Sequence, residues 1–82
     1  MLVLEENPTG VTPEGLLALG LSRKEANVLA WLAMGKTNKD IAQIMSISPR
    51  TVQKHLEYIF VKLGVETRTA AAAIALETTR AA

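Results

Sequence analysis

The sequence predicts an all-α protein, a bundle of four helices with a short extra helix on the N-terminal side. Apolar residues make up 49% of the 82-residue chain, and many of them are alanines, which favour closely packed helices. Only three residues are aromatic, one each of Trp, Tyr and Phe, whereas strand-rich folds use aromatic residues more heavily. Capping residues and glycines also divide the chain into segments of helical length.

Composition excludes several classes of function. The chain has no cysteine and one histidine, so it lacks the residues for a disulfide framework or a metal-ligand cluster. We therefore expect no metal and no cofactor. No apolar run approaches the roughly 20 residues of a membrane span, and residues 1–10 lack the basic and apolar pattern of a signal peptide. These features predict a soluble, cytoplasmic protein with no membrane partner.

The N-terminal part divides into a tail and a leader. Residues 1–11 carry Pro and Gly without helical periodicity, which is typical of a flexible tail or the end of a linker. Residues 12–19 form a predicted helical leader, in which Thr12 is the N-cap, Pro13 opens the first turn and Glu14 matches the helix dipole. The main domain is predicted to occupy residues 20–80.

Local signals set the ends of the first two helices of this domain. Ser22 and Glu25 fit a capping box, which predicts a helix that runs to Gly35. Asn38 is the predicted cap of a short second helix, which closes at Ser46.

The third helix has the clearest signals. Ser48 followed by proline predicts its start, and Gly64 its end. Thr67 is the predicted cap of a last, alanine-rich helix that ends near Arg80. The alanines are either simply good helix formers or a small-residue face that lets a second helix approach closely.

The spacing of the second and third helices matches a helix-turn-helix, whose second helix enters the DNA major groove. At 100° per residue, the third helix separates an apolar stripe from an opposite polar face. The stripe consists of Val52, Leu56, Ile59 and Leu63, and the opposite face of Arg50, Lys54, Glu57 and Val61. Trp31 and Phe60 fall on apolar faces and are interpreted as core residues.

Residues 20–77 resemble the LuxR-type DNA-binding domain of bacterial transcription regulators. The resemblance rests on four motifs that follow in order and without gaps: LSRKEANVL, GKTNKDIA, SPRTVQKH and KLGV-x-x-R. It implies a four-helix domain that binds a specific double-stranded DNA operator, controls transcription and forms a homodimer through its last helix. Such a domain would act at the nucleoid, with RNA polymerase as a further partner.

The resemblance also assigns roles to residues. The implied base contacts are Gln53, Lys54 and Glu57, and the implied phosphate contacts are Thr37, Asn38, Lys39, Arg50, Thr51, His55 and Tyr58. The implied dimer contacts are Ala70, Ala71, Ala73 and Ile74. Alternatives stay open: Glu57 could instead repel wrong sequences and orient Lys54, His55 could pack locally, and the polar face could be an ordinary solvated surface.

Two rival functions use the same helices. One is a protein-interaction module, such as an anti-activator or adaptor, that pairs through the last helix. The other is a sigma-factor-like promoter reader, which the KLGV motif and the alanine-rich helix disfavour. An enzyme is excluded because Ser22 and Ser48 occupy capping positions and the chain has neither a G-x-S-x-G elbow nor a P-loop.

The distribution of charge agrees with a DNA partner better than the total does. The formal net charge is only +1, but residues 22–68 hold eight Lys and Arg against four Asp and Glu, while residues 1–21 hold three acids and no base. The predicted DNA-binding body is therefore basic. Because LuxR-type regulators usually carry a sensing or receiver domain ahead of this domain, we expect either the output domain of a larger response regulator or a stand-alone regulator.

Overall fold

A computed structural model describes residues 9–81 as five α-helices and one 3-10 turn, with side chains described as far as residue 80. The helices are α1 (Pro13–Leu16), α2 (Arg23–Ala33), α3 (Asn38–Met45), α4 (Pro49–Leu63) and α5 (Arg68–Ala81), and the 3-10 turn is Leu17–Leu19. No strand occurs between residues 9 and 81. The predicted all-α class is confirmed. Residues 1–8 of the predicted tail lie outside the described residues.

Four of the five predicted N-caps are confirmed by hydrogen bonds. The side chains of Thr12, Ser22, Ser48 and Thr67 each accept a bond from the backbone N–H three residues on, at 3.1–3.2 Å. Glu25 completes the capping box of α2, because its Oε1 accepts from the Ser22 N–H at 2.9 Å. Each bond satisfies a donor that a helix start would otherwise leave unpaired.

The predicted cap of α3 is wrong by one residue. Thr37, not Asn38, is the N-cap: its Oγ1 accepts from the Asp40 N–H at 3.1 Å, and the Asp40 carboxylate accepts from the Thr37 N–H at 3.2 Å. This reciprocal pair needs an acidic or amide side chain three residues after the cap. Asp40 stands there for Thr37, whereas Ile41 follows Asn38 at that distance. Asn38 is instead the first helical residue.

The leader belongs to the same core as the main domain. Leu16 of α1 is fully buried, and Val11 is only 2% exposed, so Val11 is a core residue rather than part of the predicted tail. Helix α1 packs on α2 and α5. On the surface, Glu14 accepts a hydrogen bond from the Arg23 guanidinium at 2.9 Å.

Helix α2 lies at the centre of the packing and contacts α1, α3, α4 and α5. From it, Ala26, Val28 and Leu29 are completely buried. Small residues of α5, Ala71 and Ala75, are also fully buried, which allows the helices to approach closely. Trp31 and Phe60 are partly buried against this core, as predicted.

A three-residue turn joins α3 to α4 and fixes their relative direction. Its first residue, Ser46, has φ 58° and is the one non-glycine residue with positive φ among residues 9–81. This left-handed conformation ends α3 and lets the Ile47 N–H donate to the Ala42 carbonyl at 3.0 Å. A side chain in this region carries a steric cost that glycine avoids.

This geometry predicts opposite effects for two substitutions. Ser46→Gly removes the steric cost, and we expect it to raise the free energy of unfolding by about 1 kcal/mol. Gly64→Ala places a Cβ on a residue with φ 71° and no heavy atom within 4 Å of that Cβ, so we expect a loss of about 1 kcal/mol from the backbone alone. Urea denaturation measures both. A shift of both variants in the same direction would contradict the explanation.

Candidate nucleic-acid interface

The interface begins with the two faces of α4. Val52, Leu56 and Ile59 are at most 1% exposed, because they pack into the core between α2 and α3. The three predicted base contacts, Gln53, Lys54 and Glu57, are all exposed on the other side of the helix, and so is Val61. The predicted separation of faces is confirmed. The helix therefore presents hydrogen-bonding groups to solvent from a fixed orientation.

The predicted phosphate contacts on α4 are brought together beside this face. They line one open depression together with Lys54, and comprise Arg50, Thr51, His55 and Tyr58. Arg50 is exposed, and Tyr58 is 57% exposed. Thr51 and His55 are half-buried, and the Thr51 hydroxyl hydrogen-bonds the Ser48 hydroxyl at 3.0 Å. The group combines cationic and hydroxyl donors suited to phosphate oxygens.

The remaining phosphate candidates lie at the N-terminus of α3. Thr37 and Lys39 are exposed and Asn38 is half-buried. The Asn38 Nδ2 donates to Gln53 Oε1 at 3.3 Å, so the start of α3 adjoins the polar face of α4. The first backbone N–H groups of a helix and its dipole favour an anion at this end. The two predicted groups of contacts thus form one continuous surface.

An acidic residue is part of the α3 start. Hydrogen bonds from the Thr37 backbone N–H and hydroxyl hold the pKa of the Asp40 carboxyl below its ordinary value, and Lys36 and Lys39 act in the same direction. Asp40 is therefore ionised at neutral pH. Its charge is engaged by the cap rather than presented alone to an approaching phosphate.

Arg68, for which no sequence pattern predicted a contact, connects this surface to α5. Its Nη1 donates to Asn38 Oδ1 at 2.5 Å, and its Nη2 donates to the Lys36 carbonyl at 3.2 Å. The only sequence signal was its place in the KLGV-x-x-R motif, which indicated membership of a family but not a contact. The side chain joins the first residue of α5 to the α2–α3 turn and to α3.

An ion pair fixes the other end of α4. Lys62 Nζ donates to Glu25 Oε1 at 2.7 Å, which links the last turn of α4 to the first turn of α2. Burial tends to raise the pKa of the Glu25 carboxyl, but the hydrogen bonds from Lys62 and from the Ser22 backbone outweigh burial and lower that pKa below its ordinary 4.5. Glu25 is therefore ionised in the folded domain at neutral pH.

The structure revises the predicted dimer face of α5. Ala71 is fully buried within the protomer, so it cannot contribute surface to a second chain, and that assignment is wrong. The reason is that α5 packs on α2 through Ala71 and Ala75. Ala73 is exposed, and Ala70 and Ile74 are half-buried. These three remain predicted dimer contacts.

Comparison with known proteins identifies the family to which the chain belongs. The family described as "Bacterial regulatory proteins, luxR family" matches residues 19–75. The chain belongs to this LuxR family. It is therefore a DNA-binding helix-turn-helix domain that functions in transcription regulation, and it is not an enzyme.

Three relatives illustrate the similarity. The chain is 44% identical over 57 residues to the uncharacterized transcriptional regulatory protein YhcZ of Bacillus subtilis, covering 70% of this chain and 27% of the relative. It is 41% identical over 73 residues to the transcriptional activator YukR of Yersinia ruckeri, covering 79% and 30%. It is 41% identical over 61 residues to the DNA-binding transcriptional activator DevR/DosR of Mycobacterium tuberculosis, covering 74% and 28%.

The matched region spans less than a third of the length of these relatives. No solved structure matched the chain. Within residues 9–81, no helix is long and apolar enough to cross a membrane.

The ion pair at the end of α4 predicts a pH dependence of stability. Because the folded-state pKa of Glu25 lies below 4.5, its contribution is complete above the unfolded-state pKa and disappears as the pH falls through the folded-state value. We expect Glu25→Gln, which keeps the cap but loses the charge, to reduce stability at pH 7 and to lose this part of the acid dependence. Thermal unfolding between pH 3 and pH 7 measures it. Parallel pH profiles of the two proteins would contradict the assignment.

Proposed function

We propose that the domain inserts α4 into the major groove of a specific operator and reads base edges with Gln53, Lys54 and Glu57. The observation that carries the proposal is the exposed polar face of α4, whose direction is fixed because Val52, Leu56 and Ile59 on the opposite side of the helix are buried in the core. An α-helix fits the major groove, where each base pair presents its own pattern of donors and acceptors.

The three side chains offer different chemistry to the bases. Lys54 donates to the N7 or O6 of guanine, and Glu57 accepts from the N4 amino group of cytosine. Gln53 has both a donor and an acceptor, and can pair with adenine. Because all three are exposed within five residues of α4, they span a short run of neighbouring base pairs.

Phosphate contacts orient α4 on the duplex. We assign them to the depression lined by Arg50, Thr51, His55 and Tyr58 and to the α3 start with Thr37, Asn38 and Lys39. These groups give affinity and register but little sequence information. Because their cations displace counterions from DNA, affinity falls as salt rises.

The active form in this proposal is a homodimer through the exposed and half-buried residues of α5, namely Ala70, Ala73 and Ile74. Two domains would then occupy half-sites about 34 to 36 Å apart on one side of the duplex. The relatives are regulators more than three times as long as the matched region. In this context the domain acts as the output module of a response regulator at the nucleoid in the cytoplasm, where it affects transcription by RNA polymerase.

The base-reading role of Lys54 is tested with two alanine variants. Lys54→Ala removes a base contact, and we expect it to lower affinity for a selected operator by about 1 to 3 kcal/mol while changing affinity for unrelated duplex DNA much less. Lys24→Ala removes another exposed lysine, from the first turn of α2, and we expect it to leave specific binding unchanged. Mobility shifts on an operator selected from random duplexes measure both.

Two results would count against this assignment. If Lys54→Ala leaves the ratio of specific to non-specific affinity unchanged, Lys54 does not read a base. If Lys24→Ala and Lys54→Ala lower affinity equally for every duplex, both lysines act only through general attraction to phosphate.

The dimer is tested on α5. Ala73→Glu places a charge on the exposed part of the predicted contact, and we expect about a tenfold loss of affinity for a duplex with two half-sites but little change for one half-site. Ala18→Glu adds the same charge to an exposed alanine of the 3-10 turn and serves as the control. Sedimentation of the protein–DNA complex gives the stoichiometry. Equal losses on both duplexes would contradict a dimer through Ala73.

A further inference from the structure

We propose that Asn38 and Arg68 are positioning residues that set the direction of the Gln53 amide and thereby the type of base that Gln53 prefers. This inference depends on the proposed role of Gln53 in base reading. It rests on a chain of three hydrogen-bonded side chains that runs from α5 through α3 to α4. None of the three is a neighbour of another in sequence.

Arg68 determines which atoms donate and which accept in these two hydrogen bonds. A guanidinium group carries only donors, so the atom of Asn38 that faces Arg68 Nη1 at 2.5 Å has to be its oxygen. The Asn38 nitrogen then lies on the other side of the amide, where it donates to Gln53 at 3.3 Å. Gln53 must therefore turn its own oxygen toward Asn38. Amide directions usually depend on such networks, and here a group that cannot accept fixes both.

Arg68 is itself held in place by a second bond. Its Nη2 donates to the Lys36 carbonyl at 3.2 Å, and the residue is half-buried at the first position of α5. Because the Arg68 side chain is hydrogen-bonded both to Asn38 and to the Lys36 carbonyl, it loses much of its rotational freedom. The side-chain amides of Asn38 and Gln53 are thus held by a half-buried residue rather than by another exposed side chain.

This arrangement leaves the Gln53 nitrogen as the group available to DNA. Gln53 is exposed, and its Nε2 has no hydrogen-bond partner among residues 9–81, while its Oε1 already accepts from Asn38. An outward N–H group requires an acceptor such as the O6 or N7 of guanine, the N7 of adenine or the O4 of thymine. Cytosine offers only the N4 donor in the major groove. We infer that Gln53 disfavours cytosine at the position that it reads.

The test uses one substitution at position 38 to exchange the positions of the oxygen and nitrogen of the Gln53 side-chain amide. In Asn38→Asp, the carboxylate still accepts from Arg68 but can no longer donate, so Gln53 has to turn its nitrogen inward and its oxygen toward the groove. We expect the affinity ratio of guanine over cytosine at that position to fall by about three- to tenfold, the value of one neutral hydrogen bond. An acid in the first turn of a helix is favourable, and thermal unfolding confirms that the variant is folded.

The measurement uses four duplexes that differ only at the base pair where Gln53→Ala relaxes the preference of the wild-type chain. The charge added by Asn38→Asp lowers affinity for all four alike, so the ratio between duplexes is the relevant quantity. Asn38→Ala, which leaves Gln53 free to turn, is expected to reduce the guanine preference without reversing it. In a Gln53→Ala background, Asn38→Asp is expected to leave the ratios unchanged.

The possible outcomes separate this inference from the proposed function. If Gln53→Ala relaxes one position and Asn38→Asp leaves the ratio there unchanged, Gln53 reads a base but Asn38 does not position it. If Asn38→Asp changes the ratio to the same extent with alanine at position 53, its effect does not pass through Gln53, and the inference is likewise wrong. If Gln53→Ala relaxes no position, both base reading by Gln53 and its positioning are wrong.

Discussion

The interface depends on the burial of one apolar stripe along α4. Each fully buried aliphatic side chain contributes about 1.5 to 3 kcal/mol, and Val52, Leu56 and Ile59 lie on the same side of the helix. Rotating α4 about its axis would expose all three at once, which is energetically prohibitive for a small domain. The direction of Gln53, Lys54 and Glu57 therefore follows from the core rather than from any interaction of their own.

Features that depend on residues close in sequence were predictable. Caps at Ser22, Ser48 and Thr67 involve partners only three residues away, and the faces of α4 follow from helical periodicity. The error at α3 was also local. Both Thr37 and Asn38 are suitable N-caps, and the choice between them is decided by Asp40, which only the capping box of Thr37 can use.

Features that depend on distant contacts were not predictable. Arg68 meets Asn38 across 30 residues of sequence, and Asn38 meets Gln53 across 15, so no spacing rule connects them. In α5, four consecutive alanines carry no contrast between an apolar and a polar face. Only the packing on α2 distinguishes buried Ala71 from exposed Ala73.

The central position of α2 has a consequence for how the domain unfolds. Helix α2 contacts each of the other four helices between residues 9 and 81, and the buried apolar side chains of this region form one cluster that includes those of α2. Partial unfolding of α2 would expose apolar surface on all its partners together. The domain is therefore expected to melt as one cooperative unit, and the backbone amides of α2 to exchange with solvent only through global opening.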